Sequence, residues 1–250
     1  MSKAMTTRAD VTQLRDAGRG VVALARQDLQ SFWDSLDLTR PEAARDELLD
    51  FVPQLVREYG DVAATVAAEW YEQVRFDAVG AYNATTVNAT DVAQVQAGVR
   101  SAAGKLFGDD PSSMLTLLAG GVQRYVMASQ RGTVARNVQL DPSKPRFARV
   151  PTGAKTCAWC TLLSSRGFVY LTQKTAQQTD HYHNECDCQA VAEWEADRHY
   201  IAGYDPDAMY AKYQDARAAA DALGLPLTDR NIAAQMRALY PDAFTDSHIH

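Results

Sequence analysis

The placement of the cysteines is the feature that most constrains this chain. All four lie in two short motifs, Cys157-Ala-Trp-Cys160 and Cys186-Asp-Cys188, and the second motif follows His183-Asn-Glu185 directly. A C-x-x-C turn presents two thiolates from one tight turn, and a second group of His and Cys can complete a tetrahedron around zinc. Because a structural zinc site contributes on the order of 10 kcal/mol to folding, such a site can hold together a small, loop-rich segment.

Zinc takes four protein ligands in a closed site, and the two motifs offer five: Cys157, Cys160, His183, Cys186 and Cys188. Cys157 and Cys160 are the strongest candidates, because C-x-x-C is the usual zinc knuckle. Two of His183, Cys186 and Cys188 complete the set. Cys186 and Cys188 would share one side of a strand, whereas His183 and Cys186 would both face inward from a turn. The spacing leaves this choice open, and we expect a structural zinc site.

Other states of the cysteines stay open at this point. The thiols would pair as disulfides in oxidising surroundings, remain reduced and buried without metal, or act as a redox C-x-x-C, although no βαβ pattern surrounds them. A catalytic zinc of the nucleobase-deaminase kind requires H-x-E followed by P-C-x-x-C. Here the C-x-x-C comes first and lacks the preceding proline. We therefore predict no catalytic residues.

The distribution of charge constrains the partners. A net charge of −6 argues against a dedicated nucleic-acid binder. The segment from Arg124 to Lys155 nevertheless carries seven basic residues and one acidic residue, which leaves −12 on the rest of the chain. This segment is either a solvated connector or a surface for non-specific contact with DNA or an acidic protein. The arginines predicted for that surface are Arg124, Arg131, Arg136, Arg146 and Arg149.

Composition also bears on the environment of the protein. Hydrophobic residues make up 46% of the chain, which is enough to bury a sizeable core. No run approaches the roughly 20 apolar residues that a membrane-spanning helix needs, and Met1-Ser-Lys-Ala4 does not begin a signal-peptide pattern. We expect a soluble protein that is made in a cytoplasm and has no membrane partner.

Apolar residues recur at a spacing of three to four through the first 140 residues, which predicts helices. The first stripe runs from Val11 to Trp33, and Thr39-x-x-Glu42 is a capping-box signal for the second helix, which Pro53 should kink or split. Two further helices are predicted near Asp91–Phe107 and from Pro111 toward Val134. The aromatic residues predicted for the core of this helical body are Trp33, Phe51, Trp70 and Tyr125.

The pattern changes after Asp141, where prolines interrupt a loop-rich passage. Thr156 is expected to cap a short helix that carries the C-x-x-C motif, and Phe168–Tyr170 and Gln189–Ala192 are expected to be short strands. Helices return after Pro206 and Thr228. We therefore predict a mainly α protein with a helical body (1–140), a small α+β Cys/His knuckle region (141–200), and C-terminal helices and a tail (201–250).

Residues between Arg149 and Trp194, about a fifth of the chain, carry a family resemblance. The chain resembles the MuF-like minor capsid proteins of tailed bacteriophages, and especially the form found in phages of actinobacteria. The runs that carry the resemblance are Arg149-Val-Pro-Thr-Gly153, Thr156-Cys-Ala-Trp-Cys160, Ser164-Ser-Arg-Gly-Phe-Val-Tyr170 and Tyr182-His-Asn-Glu-Cys-Asp-Cys188.

The resemblance implies a structural virion protein inside the phage head near the portal, where it assists head assembly, DNA packaging or ejection. It implies the portal protein, inner capsid or scaffold proteins and packaged DNA as partners, and assembly in the host cytoplasm. Many relatives carry Pro and a basic residue at the positions of Asn184 and Asp187, so DNA contact is expected from the basic segment instead. The alternative is a zinc-dependent nucleic-acid-modifying or hydrolytic enzyme, a toxin-like virion effector with Glu185 as its base.

Overall fold

A computed structural model describes residues 5–172, 184, 186–195 and 200–246. Over these residues the chain is mainly α, as predicted. The helices are α1 (Arg8–Asp34), α2 (Pro41–Val79), α3 (Val92–Ala102), α4 (Ser112–Leu140), α5 (Ala158–Ser164), α6 (Pro206–Ala222) and α7 (Asp229–Leu239), with a 3₁₀ turn at Ala103–Phe107. A two-stranded antiparallel sheet is formed by β1 (Arg146–Val150) and β2 (Gln189–Glu193).

Short polar side chains set the beginnings of several helices. Thr7 and Asp10 form a reciprocal capping box at the start of α1, and Asp91, Asp205 and Thr228 cap α3, α6 and α7. Each cap accepts a hydrogen bond from a backbone N–H of the first turn, which otherwise has no partner within the helix. The predicted beginning of the last helix at Thr228 is confirmed.

The start of α2 differs from the prediction. Arg40 occupies the N-cap position without a side-chain cap, because the Thr39 hydroxyl and N–H donate to the Asp37 carboxylate instead. Pro41 is the first residue of the helix. Its missing N–H breaks no hydrogen bond there, because the first N–H groups of a helix have no partner within it. Pro53 does not split the helix, since α2 runs continuously through it to Val79.

Helices α1, α2, α3 and α4 enclose one of the apolar cores. The prediction that Trp33, Trp70 and Tyr125 are buried aromatic residues is confirmed, although Trp70 belongs to a second core shared with the sheet. Phe51 is half-buried and stacks on Phe32, with ring centroids 3.8 Å apart.

An extended segment between α2 and α3 is held along α4 by three polar side chains. Asn137 accepts a hydrogen bond from Thr85 N–H at 2.8 Å and donates to its carbonyl oxygen at the same distance. Thr133 and Ser129 accept from the N–H groups of residues 87 and 89, each at 3.0 Å. Four residues of helix rise about 6.0 Å, and two residues of extended chain span about 6.6 Å. Every fourth residue of α4 therefore lies beside every second residue of the extended segment.

The sheet packs directly on the helical body. Phe147, Ala148 and Val150 of β1 and Ala190, Val191 and Ala192 of β2 share one apolar core with residues of α1, α2 and α4. The predicted strand at Phe168–Tyr170 is reduced to one bridge, Phe147 with Tyr170, and β1 itself was not predicted. The division of the chain at 140 and 200 stays a prediction.

Helices α5, α6 and α7 form a third core. Leu162 and Leu163 of α5 pack against Ala216 of α6 and against Ile232 and Met236 of α7. Within the described parts of the chain, no helix is long and apolar enough to cross a membrane.

Candidate metal centre

The C-x-x-C motif forms the first turn of α5. Cys157 is the N-cap residue, and its Sγ accepts a hydrogen bond from Cys160 N–H at 3.1 Å. The prediction that Thr156 caps this helix is therefore wrong. The Thr156 hydroxyl donates to Asp187 Oδ1 at 3.1 Å, which ties the entrance of α5 to the second cysteine motif.

The structure brings the two cysteine motifs together in one buried cluster. The Sγ atoms of Cys160, Cys186 and Cys188 lie within 4.8 Å of one another, and those of Cys160 and Cys186 are 3.4 Å apart. Cys157 belongs to the same cluster but is not one of the three sulfurs that meet this limit. Two thiolates on a tetrahedral zinc would be separated by about 3.8 Å, so the three sulfurs fit a metal ion.

All four cysteines are free thiols and are at most 3% exposed. A group of thiolates at this separation is the chemistry that soft and borderline metals such as zinc prefer. His183, the fifth predicted ligand, and Glu185, the base of the alternative enzyme, lie outside the described residues. Cys186 and Cys188, the two candidates of the second motif that the structure describes, both lie against the C-x-x-C turn.

The pKa values of three thiols in this cluster are shifted in different directions. Hydrogen bonds from Cys160 and Cys188, aided by the positive charges of Arg131 and Arg149, hold the pKa of Cys186 well below its ordinary value. Hydrogen bonding to Cys157 and Cys186 raises the pKa of Cys160, and contacts with Cys160 and Cys186 do the same for Cys188. Cys186 is therefore more readily ionised than Cys160 or Cys188, and the thiolate is the form that binds metal.

Asp187 lies between the two cysteines of the second motif and organises the loop before α5. Its carboxylate accepts hydrogen bonds from the N–H groups of Thr152 and Gly153 and from the Thr156 hydroxyl. A side chain at Gly153 would approach Asp187 Oδ2 to 2.9 Å, so the loop closes tightly on the carboxylate. The Asp187 carboxylate therefore stabilises the loop that leads into the C-x-x-C motif.

Two of the five arginines predicted to form a surface are buried. Arg131 on α4 is 2% exposed and Arg149 on β1 is fully buried, so the prediction is wrong for both. Both guanidinium groups face the cysteine cluster, where sulfur and carbonyl oxygens accept their hydrogen bonds. Arg136 and Arg146 are exposed as predicted. Arg124 is half-buried and stacks on the Tyr125 ring at 4.6 Å.

A basic cleft beside the cluster was missed by sequence reasoning. Arg15, Arg19 and Arg26 of α1 line a cleft of about 520 Å³ whose wall includes Cys186 and Asp187. Residues separated by four, seven and eleven positions lie near one face of a helix, so the spacing of these arginines was the signal that could have revealed the cleft. The cleft concentrates positive charge on an otherwise acidic protein.

Comparison with known proteins identifies the family. The profile described as VG15 protein matches residues 5–216, which is most of the chain. The chain belongs to the VG15 family. The chain is also 40% identical over 68 residues to the Gene 15 protein of Mycobacterium phage D29, and 40% identical over 62 residues to that of Mycobacterium phage L5.

These similarities are to bacteriophage proteins, in agreement with the phage origin that the resemblance implies. The matched stretches cover 26% and 24% of this chain and 24% and 21% of the two relatives, so the chain aligns with about a quarter of each curated protein. No solved structure matches this chain.

Proposed function

We propose that this protein is a MuF-like minor capsid protein, a structural and non-enzymatic component of a tailed-phage head. It lies inside the head near the portal and assists head assembly, DNA packaging or ejection. Its partners are the portal protein and inner capsid or scaffold proteins, with non-specific contact to packaged DNA. It is assembled into the particle in the host cytoplasm.

The convergence of the resembling residues on one buried centre supports this role. The runs that carry the MuF-like resemblance are separated by up to 28 residues, yet Arg149 contacts Cys160 in the fold, and the sulfurs of Cys160, Cys186 and Cys188 lie together. The similarity to Gene 15 proteins of two mycobacteriophages adds independent support for a phage protein.

We further propose that the centre holds one structural zinc ion, with Cys157, Cys160, Cys186 and Cys188 as ligands. The donor set fits zinc because four thiols are gathered in one buried cluster. A bound zinc would supply cross-linking of the two motifs and no other chemistry. The surrounding residues position the ligands. Asp187 fixes the loop before α5, Arg131 donates to the Cys188 carbonyl oxygen, and Arg149 contacts Cys160 Sγ.

The burial of the cluster also favours a structural role over the alternative of a zinc-dependent enzyme. A catalytic zinc needs an open coordination position and a general base beside it. Here the three converging sulfurs are at most 3% exposed, and the nearby Asp187 carboxylate is occupied by hydrogen bonds from the 152–156 loop.

Purified phage particles provide the test. An epitope-tagged copy of the protein is introduced into the genome of the phage that encodes it, and particles are purified by density gradient. We expect the protein to co-purify with DNA-filled heads, to resist external protease until the particles are opened, and to cross-link to the portal protein. A tagged decoration protein on the outer capsid surface serves as the protease-sensitive control.

Two outcomes would contradict the proposal. One is the absence of the protein from particles purified to constant composition. The other is the assembly of infectious, DNA-filled particles in normal yield by a phage that lacks the gene. An enzyme that remains in the host cell would produce the first outcome, whereas a packaged effector that is not needed for head assembly would produce the second.

A further inference from the structure

Arg131 reaches from the helical body into the second cysteine motif. Its Nε donates to the carbonyl oxygen of Cys188 and its Nη2 to that of Cys186, each at 2.9 Å. The planar guanidinium therefore bridges two carbonyl groups that are two residues apart. Residues two apart in an extended segment present their side chains on one face. This pair of hydrogen bonds, which we call the Arg131 fork, therefore holds both thiols toward Cys160.

Arg149 contacts the cluster from the sheet. Its Nη2 lies 3.7 Å from Cys160 Sγ, and its position in β1 is opposite Ala190 of β2, two residues after Cys188. A metal bound by several thiolates carries net negative charge, and burying that charge is costly unless positive groups lie nearby. The guanidinium groups of Arg131 and Arg149 offset this charge.

The residue before Arg131 connects the same part of α4 to two other elements. Gln130 Nε2 donates to the Leu14 carbonyl oxygen in α1 at 2.9 Å and to Gln189 Oε1 at the start of β2 at 3.3 Å. Gln130 and Arg131 are both at most 2% exposed. One turn of α4 thus contacts the cysteine motif, the sheet and α1.

We propose that Arg131 is a positioning residue that couples metal binding to the helical body. It fixes the backbone of Cys186 and Cys188 for ligation, and through it a bound metal stabilises α4 and the helices packed on α4. The proposal rests on the metal centre proposed above. A ligand that binds only the folded state stabilises that state, and here the stabilisation extends beyond the loops that carry the ligands.

The first test uses the wild-type chain with zinc alone and needs no variant. Hydrogen exchange is compared between protein purified under reducing conditions with one equivalent of zinc and the same protein after chelation. We expect chelation to lower protection in α4 around residues 126–138 as well as in 186–193. Loss of protection confined to 151–165 and 186–193 would overturn the coupling and leave the metal centre intact.

The second test compares zinc affinities by competition with a chelating dye. Arg131→Gln removes the charge and the fork, and we expect it to weaken zinc binding by about 10- to 100-fold, as is typical when a partner of metal ligands is lost. Arg131→Lys restores the charge without the fork and should recover only part of the affinity. Arg136→Gln is the matched control, because Arg136 is exposed on the same helix and bonds only Gln139 among the described residues.

The outcomes separate the two proposals. Wild-type affinity in a folded Arg131→Gln variant would overturn the positioning role alone. A wild-type protein that binds no zinc under reducing conditions would overturn the metal centre and this inference together, while the virion role would still be decided by the particle experiment. If Arg131→Gln does not fold, the exchange comparison on the wild type decides.

Discussion

Arg75 and Asp141 form a buried ion pair between α2 and the end of α4. Arg75 Nε lies 3.1 Å from Asp141 Oδ2, and the two side chains are 8% and 0% exposed. The same carboxylate accepts hydrogen bonds from the Tyr71 hydroxyl, the Ser143 N–H and the Trp194 indole N–H. The carboxylate therefore joins α2, the loop after α4 and the end of β2 at one point.

Replacing this carboxylate should cost more unfolding free energy at pH 7 than at pH 3. Asp141→Asn leaves Arg75 buried without an anionic partner, and breaking such a pair costs about 3–5 kcal/mol. Burial alone would raise the pKa of Asp141, but bonds from Arg75, Ser143, Trp194 and Tyr71 lower it below its ordinary value. A lowered folded-state pKa gives stability that is present above the unfolded pKa of about 3.9 and is lost as the pH falls through the folded value.

Urea unfolding followed by helix circular dichroism at pH 7 and pH 3 measures this effect. The difference in unfolding free energy between wild type and Asp141→Asn should shrink at pH 3. Asp46→Asn is the control, because its ion pair with Arg45 is on the surface and should contribute at most about 1 kcal/mol. A difference for Asp141→Asn that stays constant with pH would refute this account.

Two glycines of α1 should respond to alanine with opposite signs. A Cβ at Gly18 would lie 2.1 Å from Gln130 Oε1 and 3.1 Å from Met127 Sδ, so the buried Gln130 amide would have to move away from Leu14 and Gln189. We expect Gly18→Ala to destabilise by about 1–3 kcal/mol.

Gly20 is the matched control in the same helix. A Cβ there meets nothing within 4 Å, and the position is exposed. Gly20→Ala should therefore stabilise by up to about 1 kcal/mol through helix propensity. The measurement is the urea midpoint of each variant, and a shift in the same direction for both would show that the close crossing of α1 and α4 is not what sets the response at Gly18.

Removing a ligand should release the metal. Wild-type protein purified under reducing conditions should contain about one zinc per chain by elemental analysis. Cys160→Ser should lose zinc and unfold at lower temperature, because hydroxyl oxygen is a poor replacement for thiolate at a zinc site. Ser165→Ala, a short distance along the chain from Cys160, is the control and should retain the metal. A folded wild-type protein that contains no metal would exclude the zinc centre.

The helical body could be predicted because its signal is local. Apolar residues at a spacing of three to four give the stripes of α1 and α2, and the caps at Asp91 and Thr228 mark where helices begin. The gathering of the cysteines in one cluster was also predictable, since all four lie in two motifs. Both signals can be read within a short window of sequence.

The predictions that were wrong concern residues whose contacts are made with residues far away in the sequence. Strand β1 was missed because Arg149 is polar yet buried, so no alternation of polar and apolar residues appears, and its partner strand begins at Gln189. Arg131 was assigned to the surface from charge alone, whereas the carbonyl oxygens of Cys186 and Cys188 accept its hydrogen bonds in the interior. The choice of two ligands among His183, Cys186 and Cys188 likewise depends on tertiary structure that the spacing does not contain.

Non-specific DNA binding, if the basic segment provides it, must come from its exposed members. Arg136 and Arg146 are exposed, whereas Arg131 and Arg149 are buried and their substitution would disturb the cysteine cluster instead. We expect Arg136→Glu combined with Arg146→Glu to weaken binding of duplex DNA uniformly across sequences. Because each phosphate contact contributes roughly 0.9 to the slope of log affinity against log salt, the slope should fall by about 1.8.

A salt titration of duplex binding by fluorescence anisotropy measures both quantities. The matched control combines Arg57→Glu with Arg217→Glu, which makes the same change in net charge at exposed arginines outside the basic segment. We expect the control to lose some affinity through its net charge but to keep the wild-type slope. Equal slopes for the two double variants would mean that Arg136 and Arg146 do not contact phosphate. The positive charge of the segment would then be available to an acidic protein partner, and cross-linking of the Arg136→Glu, Arg146→Glu variant to the portal protein would be the decisive measurement.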